Sequence, residues 1–219
     1  MADIKAAAEI AGAPCQDDVV WAILNAYETY FSEDAVAFRI TTKATPELNV
    51  RYQTLRPHDP YAIALEHGFL KRVNHPAHDV VTELRAKRPD AGFLIDIGVT
   101  HGFEKIWGFF ATPLSIEEVC ALKSTPQSLR SHLDLFKHYG LNWVSVVGVD
   151  YLSHTTNPYF MKGSFPNSPE IAAQMVVDMG FELPSAEDNN FNSGAFVLYP
   201  TFTWDSSSVE RVSFACVGP

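Results

Sequence analysis

The chain has 219 residues, 47% of them hydrophobic and 19% charged, which fits one large domain and excludes disorder over most of its length. Sixteen Lys and Arg residues against 26 Asp and Glu residues give a formal net charge of -10, which argues against a nucleic-acid-binding surface. No apolar stretch reaches the about 18 residues that a membrane-spanning helix needs, and the N-terminus lacks a signal-peptide pattern.

Helical and strand patterns alternate along the chain. The first clear helix is predicted from Asp17, where apolar residues recur at helical spacing as far as Phe31. Further helices are predicted at 61–67, at 78–87, after the Ser115–Glu118 capping box, at 128–139 and between Ser168 and Gly180. Four antiparallel strand pairs are predicted, 35–42 with 47–54, 92–99 with 102–110, 142–151 with 154–161, and 193–204 with 208–217.

Helix and strand pair recur about every 50 residues, a period at which repeated units share one continuous core. We therefore expect a single α+β domain over residues 1–219, in which repeated αββα units form an antiparallel β-barrel with the helices outside. The chain stops two residues after its last predicted strand. We expect the barrel to be truncated, that is, incomplete or open at the C-terminal side.

Each predicted strand has an apolar side, suited to packing under helices, and a more polar side. The polar sides carry Ala37, Arg39, Asn49 and Arg51, then Lys105 with Phe103 and Trp107, then Asn157 and Tyr159, then Val197 and Tyr199, and finally Arg211 with Ala215. If the sheet curls into a barrel, the four cations in this set converge on one interior.

Buried cations are costly unless they are neutralised. Asp96 and Asp150 are candidate partners, and an anionic ligand is the alternative. A third possibility is that each cation is exposed to solvent and needs no partner. Asp96 itself has two interpretations, as a partner of these cations or as a participant in substrate deprotonation.

The same residue types suit one kind of chemistry. Arginine and lysine bind diphosphate oxygens, and Asn157 and Tyr199 can add neutral hydrogen bonds. The rings of Trp107, Tyr159 and Tyr199 attract cations where water is excluded. Together these groups would stabilise an allylic cation beside its departing diphosphate, so we assign Lys105, Trp107, Tyr159 and Tyr199 the catalytic role.

Four stretches of the chain resemble the soluble aromatic prenyltransferases of the ABBA-barrel (PT-barrel) type: 58–68, 93–110, 135–160 and 196–217. The resemblance runs from about residue 17 to the end. It implies that Lys105, Asn157, Tyr199 and Arg211 hold the diphosphate, and that Trp107 and Tyr159 flank the prenyl chain. It further implies an aromatic-substrate pocket bordered by Ala37, Ser145, Val146, Phe196, Val197 and Ala215.

Two departures from that family bear on activity. Where magnesium-using members carry an aspartate, this chain has Asn49, which we assign to the diphosphate-binding residues together with Arg39 and Arg51. A neutral amide weakens metal binding and a guanidinium supplies positive charge directly, so we expect turnover without metal or cofactor. The family also continues for one further repeat, with another diphosphate lysine and a pocket tyrosine.

The sequence therefore predicts transfer of a dimethylallyl or longer isoprenyl group from its diphosphate to an electron-rich aromatic acceptor, such as a dihydroxynaphthalene, phenazine or phenol. The alternative is a non-catalytic truncated barrel that binds an anionic lipophilic ligand, since an open barrel cannot exclude water from a carbocation. The three cysteines form no metal or disulfide pattern, which fits the reducing cytoplasm. We expect a monomer that binds neither nucleic acid nor membrane.

Overall fold

Helices and strands alternate in the computed structural model, which describes residues 1–31, 36–41, 45–54, 58–161, 168–183 and 196–216. The helices are α1 (Ala2–Ala11), α2 (Asp17–Ala26), α3 (Glu28–Phe31), α4 (Pro60–Glu66), α5 (Ala77–Lys87), α6 (Ile116–Cys120), α7 (Gln127–Ser131), α8 (Leu133–His138) and α9 (Pro169–Asp178). The strands are β1 (Val36–Ile40), β2 (Leu48–Thr54), β3 (Gly92–Gly98), β4 (Gly102–Ser115), β5 (Trp143–Asp150), β6 (Thr155–Tyr159), β7 (Phe196–Thr203) and β8 (Arg211–Cys216).

The strands follow one another through the sheet in chain order, from β1 to β8. The pairings of β1 with β2, β2 with β3, β3 with β4, β6 with β7 and β7 with β8 are antiparallel. This confirms the predicted α+β class with an antiparallel sheet. Closure into a barrel, the αββα repeat and the missing final unit stay predictions.

The chain forms two compact units. The first unit comprises Met1–Phe109 with Asp150–Ser153, and the second comprises Phe110–Val149 with His154–Pro219. The prediction of a single domain stays a prediction. Among the residues described, no helix combines the length and the apolar character that crossing a membrane requires.

Local signals at helix ends are largely confirmed. The Ser115 hydroxyl accepts the Glu118 N–H at 3.1 Å, and the Glu118 carboxylate accepts the Ser115 N–H at 2.8 Å, which is the predicted capping box.

Three predictions of helices were wrong. The helix predicted from Asp17 to Phe31 is two helices, α2 and α3, with Tyr27 between them. Helix α1 precedes the predicted first helix, and its short buried stripe of Ile4 and Ala8 explains why apolar periodicity missed it.

The predicted helix at 128–139 is in fact two helices, α7 and α8. The Ser128 carbonyl accepts hydrogen bonds from the Ser131 hydroxyl at 2.9 Å and from His132 Nδ1 at 2.6 Å. A carbonyl so engaged competes with continuation of the helical ladder, and the backbone N–H of His132 instead bonds the Leu129 carbonyl. The helix therefore breaks at His132.

The apolar side of the first unit's strands packs against α2. Gly102 has a left-handed φ of 87°, and a Cβ there would lie 2.9 Å from Val19 Cγ1, so this turn requires glycine. The ring of Phe103 stacks on Tyr27, at the end of α2, with centroids 6.1 Å apart. Helix α2 thus covers the sheet beside the turn between β3 and β4.

A β-bulge in β4 changes the predicted face of one residue. Asp96 is opposite Lys105, whereas Ile97 is opposite Phe103, so Glu104 is an extra residue on β4. The prediction that Phe103 shares a face with Lys105 and Trp107 is therefore wrong. Phe103 lies on the buried apolar side, because the extra residue reverses the alternation of side chains between the two positions.

The second unit has its own aromatic core. Phe136 of α8 lies 5.3 Å from Phe160 and 6.0 Å from Phe202, measured between ring centroids, and all three rings are fully buried. This side of β6 and β7 is the helix side. Polar residues of both strands alternate onto the other side, namely Asn157 and Tyr159 of β6 and Tyr199 and Thr201 of β7.

Candidate active site

A row of charged residues crosses the polar side of the first unit's strands. Ala37 of β1 is opposite Arg51 of β2, Arg51 is opposite Asp96 of β3, and Asp96 is opposite Lys105 of β4. In the neighbouring row Arg39 is opposite Asn49. Antiparallel register therefore places four of the predicted site residues, Arg39, Asn49, Arg51 and Lys105, side by side, with Ala37 and Arg39 exposed on β1.

The cations of this row are paired with carboxylates. Arg51 Nη2 lies 3.4 Å from Asp96 Oδ2, and Lys105 Nζ lies 2.9 Å from Asp150 Oδ2. The Asp96 side chain is 0% exposed, while those of Lys105 and Asp150 are 16% and 15% exposed. The two aspartates proposed as partners of the cations are thus confirmed in that role.

Trp107 lies next to both cations. Arg51 Cζ is 4.7 Å from the centre of the Trp107 ring system, and Lys105 Nζ is 5.9 Å from it. Both distances are within the range of cation–π attraction, which is strongest for tryptophan. The ring is almost fully buried, so these contacts form where water is largely excluded.

Glu104 is a member of this site that sequence reasoning missed. Asn49 Nδ2 donates a hydrogen bond to Glu104 Oε2 at 2.7 Å, and Asn49 is buried. The Glu104 carboxylate fills the space beside Gly98 that a Cβ would occupy. Strict alternation along β4 placed Glu104 on the helix side, where an apolar residue is expected. A carboxylate at such a position is the sequence signal that could have indicated a bulge.

The carboxyl groups of this cluster titrate differently. Burial raises the pKa of Asp96, and Arg51, Lys105 and Arg39 oppose the rise. Burial likewise raises the pKa of Glu104, against the hydrogen bond from Asn49. The pKa of Asp150 is lowered, because the Lys105 ammonium and the backbone N–H of Ser153 outweigh the effect of burial.

The polar side of the second unit is held by neutral groups. Asn157 is buried, and its Nδ2 donates to Thr201 Oγ1 at 2.6 Å and to the Pro200 carbonyl at 3.1 Å. Arg211, opposite Thr201 on β8, is exposed and has Nη2 3.4 Å from the same hydroxyl. Thr201, which was not among the predicted site residues, therefore connects Asn157 to Arg211.

Two tyrosines form a stacked pair on β6 and β7. The rings of Tyr159 and Tyr199 are 4.6 Å apart between centroids and 10° from parallel. Each is half-buried, so part of the pair remains accessible. The two residues predicted to flank the prenyl chain and bind the diphosphate are thus brought together within the second unit.

The predicted aromatic-substrate residues of the second unit are less closely associated. Val197 is opposite Ala215 in the β7–β8 pair. Ser145 and Val146 are consecutive in β5, so their side chains point to opposite faces, and Val146 is the more buried. The side chain of Phe196 lies outside the described residues. Their role at an acceptor site stays a prediction.

Among the residues that the structure describes, no group of three or more His, Cys, Asp or Glu side chains is arranged to hold a metal ion. The acidic pair Asp17–Asp18 begins α2, and Asp17 forms an ion pair with Lys5.

Comparison with known proteins identifies the family. The family model described as aromatic prenyltransferase Orf2 matches residues 1–218. The chain is 35% identical to the 5,10-dihydrophenazine-1-carboxylate 9-dimethylallyltransferase of Streptomyces anulatus, over 99% of this chain and 75% of that enzyme. It is 34% identical to the furaquinocin biosynthesis prenyltransferase of Streptomyces sp. (strain KO-3988), over 90% and 66%.

The flaviolin linalyltransferase of Streptomyces virginiae is 33% identical, over 98% of this chain and 73% of that enzyme. The chain therefore spans between 66% and 75% of the length of these three relatives. The match to the family model covers nearly every residue, so the chain belongs to the aromatic prenyltransferase family of enzymes.

Proposed function

We propose that this enzyme transfers a dimethylallyl or longer isoprenyl group from its diphosphate to an electron-rich aromatic acceptor, such as a dihydroxynaphthalene, phenazine or phenol. The observation that carries the proposal is the placement of Arg51 and Lys105 beside the Trp107 ring. Cations bind the diphosphate, and the ring stabilises the positive charge that develops on the allylic carbon. The names of the relatives, a dimethylallyltransferase and a linalyltransferase, support it.

The reaction needs little from the protein beyond binding and orientation. The bond between the allylic carbon and the diphosphate oxygen breaks, and the electron pair leaves with the diphosphate. The aromatic ring then attacks the cation, and a ring proton passes to the departed diphosphate or to water, which restores aromaticity. Lys105 and Arg51, whose side chains are 16% and 29% exposed, neutralise the departing diphosphate.

The second unit carries candidate ligand-binding groups of its own. The stacked rings of Tyr159 and Tyr199 present faces that suit an allylic chain, and Arg211 offers an exposed guanidinium for diphosphate oxygens. Asn157 and Thr201 hold this face in place through their hydrogen bond. We propose that the isoprenyl diphosphate is the ligand of these residues.

Turnover is proposed to be independent of magnesium. Asn49 is a neutral amide engaged by Glu104, which makes it a weak magnesium ligand, and Arg51 supplies a fixed positive charge. The test is product formation from dimethylallyl diphosphate and a panel of hydroxynaphthalenes and phenazines, with EDTA and with added magnesium. Equal rates are expected, and a rate that requires magnesium would contradict metal-free turnover.

The same assay distinguishes an enzyme from a binding protein. A non-hydrolysable thiodiphosphate analogue should bind in either case, so only product formation separates the two. Binding of the analogue without product from any acceptor in the panel would overturn the proposed transfer reaction.

A further inference from the structure

We propose that Asp96 is a positioning residue that holds Arg51 in the free enzyme and takes up a proton when a diphosphate binds Arg51. The inference rests on the proposed function, because it requires that Arg51 bind the diphosphate. It assigns to Asp96 a change of charge during the binding step. Asp96 would then lose this proton to solvent when the diphosphate leaves.

The ion pair between Arg51 and Asp96 has poor geometry. Its single contact, Nη2 to Oδ2, is 3.4 Å long, beyond the usual range of about 2.7–3.2 Å for a hydrogen bond. Within the described part of the chain, neither Asp96 Oδ1 nor Arg51 Nε has a hydrogen-bond partner. A buried ion pair stabilises the protein only if its contacts are close and its other polar atoms are hydrogen-bonded. Arg51 can therefore readily leave Asp96 for another anion.

The two partners differ in their access to a ligand. The Arg51 side chain is 29% exposed, whereas Asp96 is 0% exposed. An incoming diphosphate can therefore bind the guanidinium without reaching the carboxylate. When the guanidinium turns to the diphosphate, Asp96 loses its nearest cation and cannot exchange it for water.

The surrounding charges do not replace that cation. Lys105 of β4 already pairs with Asp150 at 2.9 Å and, under the proposed function, also binds the diphosphate, while Arg39 on β1 is exposed to solvent. Glu104, from the bulge of β4, adds a second carboxylate to the cluster. Three cations, Arg39, Arg51 and Lys105, thus face three carboxylates, Asp96, Glu104 and Asp150, before any ligand binds.

A diphosphate adds at least two negative charges to this balanced cluster. A buried carboxylate beside a second anion is costly, and protonation is the usual response. Burial already raises the pKa of Asp96, with Arg51 as the first cause opposing the rise.

Asp150 keeps Lys105 and the backbone N–H of Ser153, which lower its pKa, and Glu104 keeps the hydrogen bond from Asn49. Asp96 is the carboxylate that loses its cation, so it is the group expected to accept the proton.

Calorimetric titration with inorganic pyrophosphate, in two buffers of equal pH and different ionisation enthalpy, measures the protons taken up. The full chain is compared with Asp96→Asn, which keeps an acceptor oxygen for Arg51 and cannot be protonated. We expect the wild type to take up more protons than the variant, by up to about one per pyrophosphate. The variant also corrects for the titration of pyrophosphate itself.

The affinity of the enzyme for pyrophosphate should depend on pH, because binding is coupled to proton uptake by Asp96. Between the pKa of Asp96 in the free enzyme and its higher pKa in the complex, the affinity of the wild type for pyrophosphate should fall relative to that of Asp96→Asn, by up to about tenfold per pH unit. Glu104→Gln is the matched control, because it removes the neighbouring half-buried carboxylate and should keep the proton uptake. Loss of the uptake in Glu104→Gln would overturn the assignment to Asp96.

A second measurement needs no variant. The infrared difference spectrum of the wild type, recorded before and after pyrophosphate is added, should gain the C=O stretching band of a protonated carboxyl group. Pyrophosphate binding without that band, or with equal proton uptake in the wild type and Asp96→Asn, overturns this inference and leaves the proposed function standing. Failure of the wild type to bind pyrophosphate overturns both.

Discussion

The two units present polar faces of different chemical character. In the first unit, charged groups face one another, as in the pair of Lys105 and Asp150 at 2.9 Å. In the second unit, neutral groups do so, as where Asn157 donates to Thr201 Oγ1 at 2.6 Å. Interactions between charged groups act over several ångströms, and their strength changes with pH as the groups titrate. Neutral hydrogen bonds depend instead on local geometry.

The difference separates what each face can contribute. A partly buried cation such as Lys105 can stabilise a charge that appears only during the reaction, so its loss should lower the rate. A buried amide that is satisfied by the protein, such as that of Asn157, mainly fixes the shape of its surroundings. We therefore expect loss of Lys105 to change mainly turnover, and loss of the Asn157 amide to change mainly stability.

Lys105→Ala should have the largest effect. It removes the cation beside Trp107 and leaves Asp150 as an unpaired, partly buried carboxylate. We expect product formation from dimethylallyl diphosphate to fall about 100-fold or more, the usual cost of one preorganised electrostatic group.

The chain offers a matched control for this substitution. Lys137 Nζ lies 2.9 Å from Glu117 Oε1, the same separation as in the Lys105 pair, but these side chains are 50% and 46% exposed. Lys137→Ala should leave the rate unchanged, because exposed ion pairs contribute little. Similar rates for the two variants would contradict the role of Lys105 in binding the diphosphate.

Asn157→Ala tests the neutral face of the second unit. The substitution removes the amide donor from the buried Pro200 carbonyl and from the Thr201 hydroxyl, which keeps only its 3.4 Å contact with Arg211 among the described residues. We expect the free energy of unfolding to fall by about 1–3 kcal/mol, measured by denaturant titration. Asn74→Ala, at an exposed loop position, should change it by less than about 0.5 kcal/mol. Equal effects of the two substitutions would show that the Asn157 contacts do not stabilise the unit.

Alternation of side chains predicted much of this arrangement. The strands were found from their period of two, and Arg51, Lys105 and Trp107 share a polar face because β2 and β4 are paired in antiparallel register with β3. Asn157 and Tyr159 are likewise two residues apart on β6. The residues on each face could therefore be predicted without knowing how the strands twist.

Which side chains contact one another across neighbouring strands could not be predicted to the same extent. The bulge at Glu104 is invisible to a pattern of alternation, and it reversed the side of Phe103 and brought a third carboxylate to the site. The contact of Asn157 with Thr201 depends on the position of β7 beside β6, which sequence period does not fix. Pairing of Lys105 with Asp150 likewise depends on where the chain turns after β5.

Tyr199→Leu tests the aromatic pair in the second unit. It removes one of two rings stacked at 4.6 Å, a contact worth about 0.5–1.5 kcal/mol beyond the area it buries. We expect a loss of stability of that size and a fall in turnover of about two- to tenfold, from the weaker stabilisation of the allylic cation. Tyr199→Phe keeps the ring, so it should retain the stability. A Phe variant as unstable as the Leu variant would assign the effect to the hydroxyl instead.

Glu104→Gln should have the smallest effect, because glutamine keeps an oxygen that accepts the hydrogen bond from Asn49. Burial raises the pKa of Glu104 in the folded protein, so stability that is present below its ordinary pKa of 4.5 is lost as the pH rises through the raised value. Glutamine does not ionise, and the variant should therefore gain stability relative to the wild type over that interval. Denaturant unfolding at a series of pH values measures the difference, with Glu9→Gln on the exposed side of α1 as the control. A difference that stays constant with pH would mean that Glu104 is ionised as easily in the folded chain as in the unfolded one.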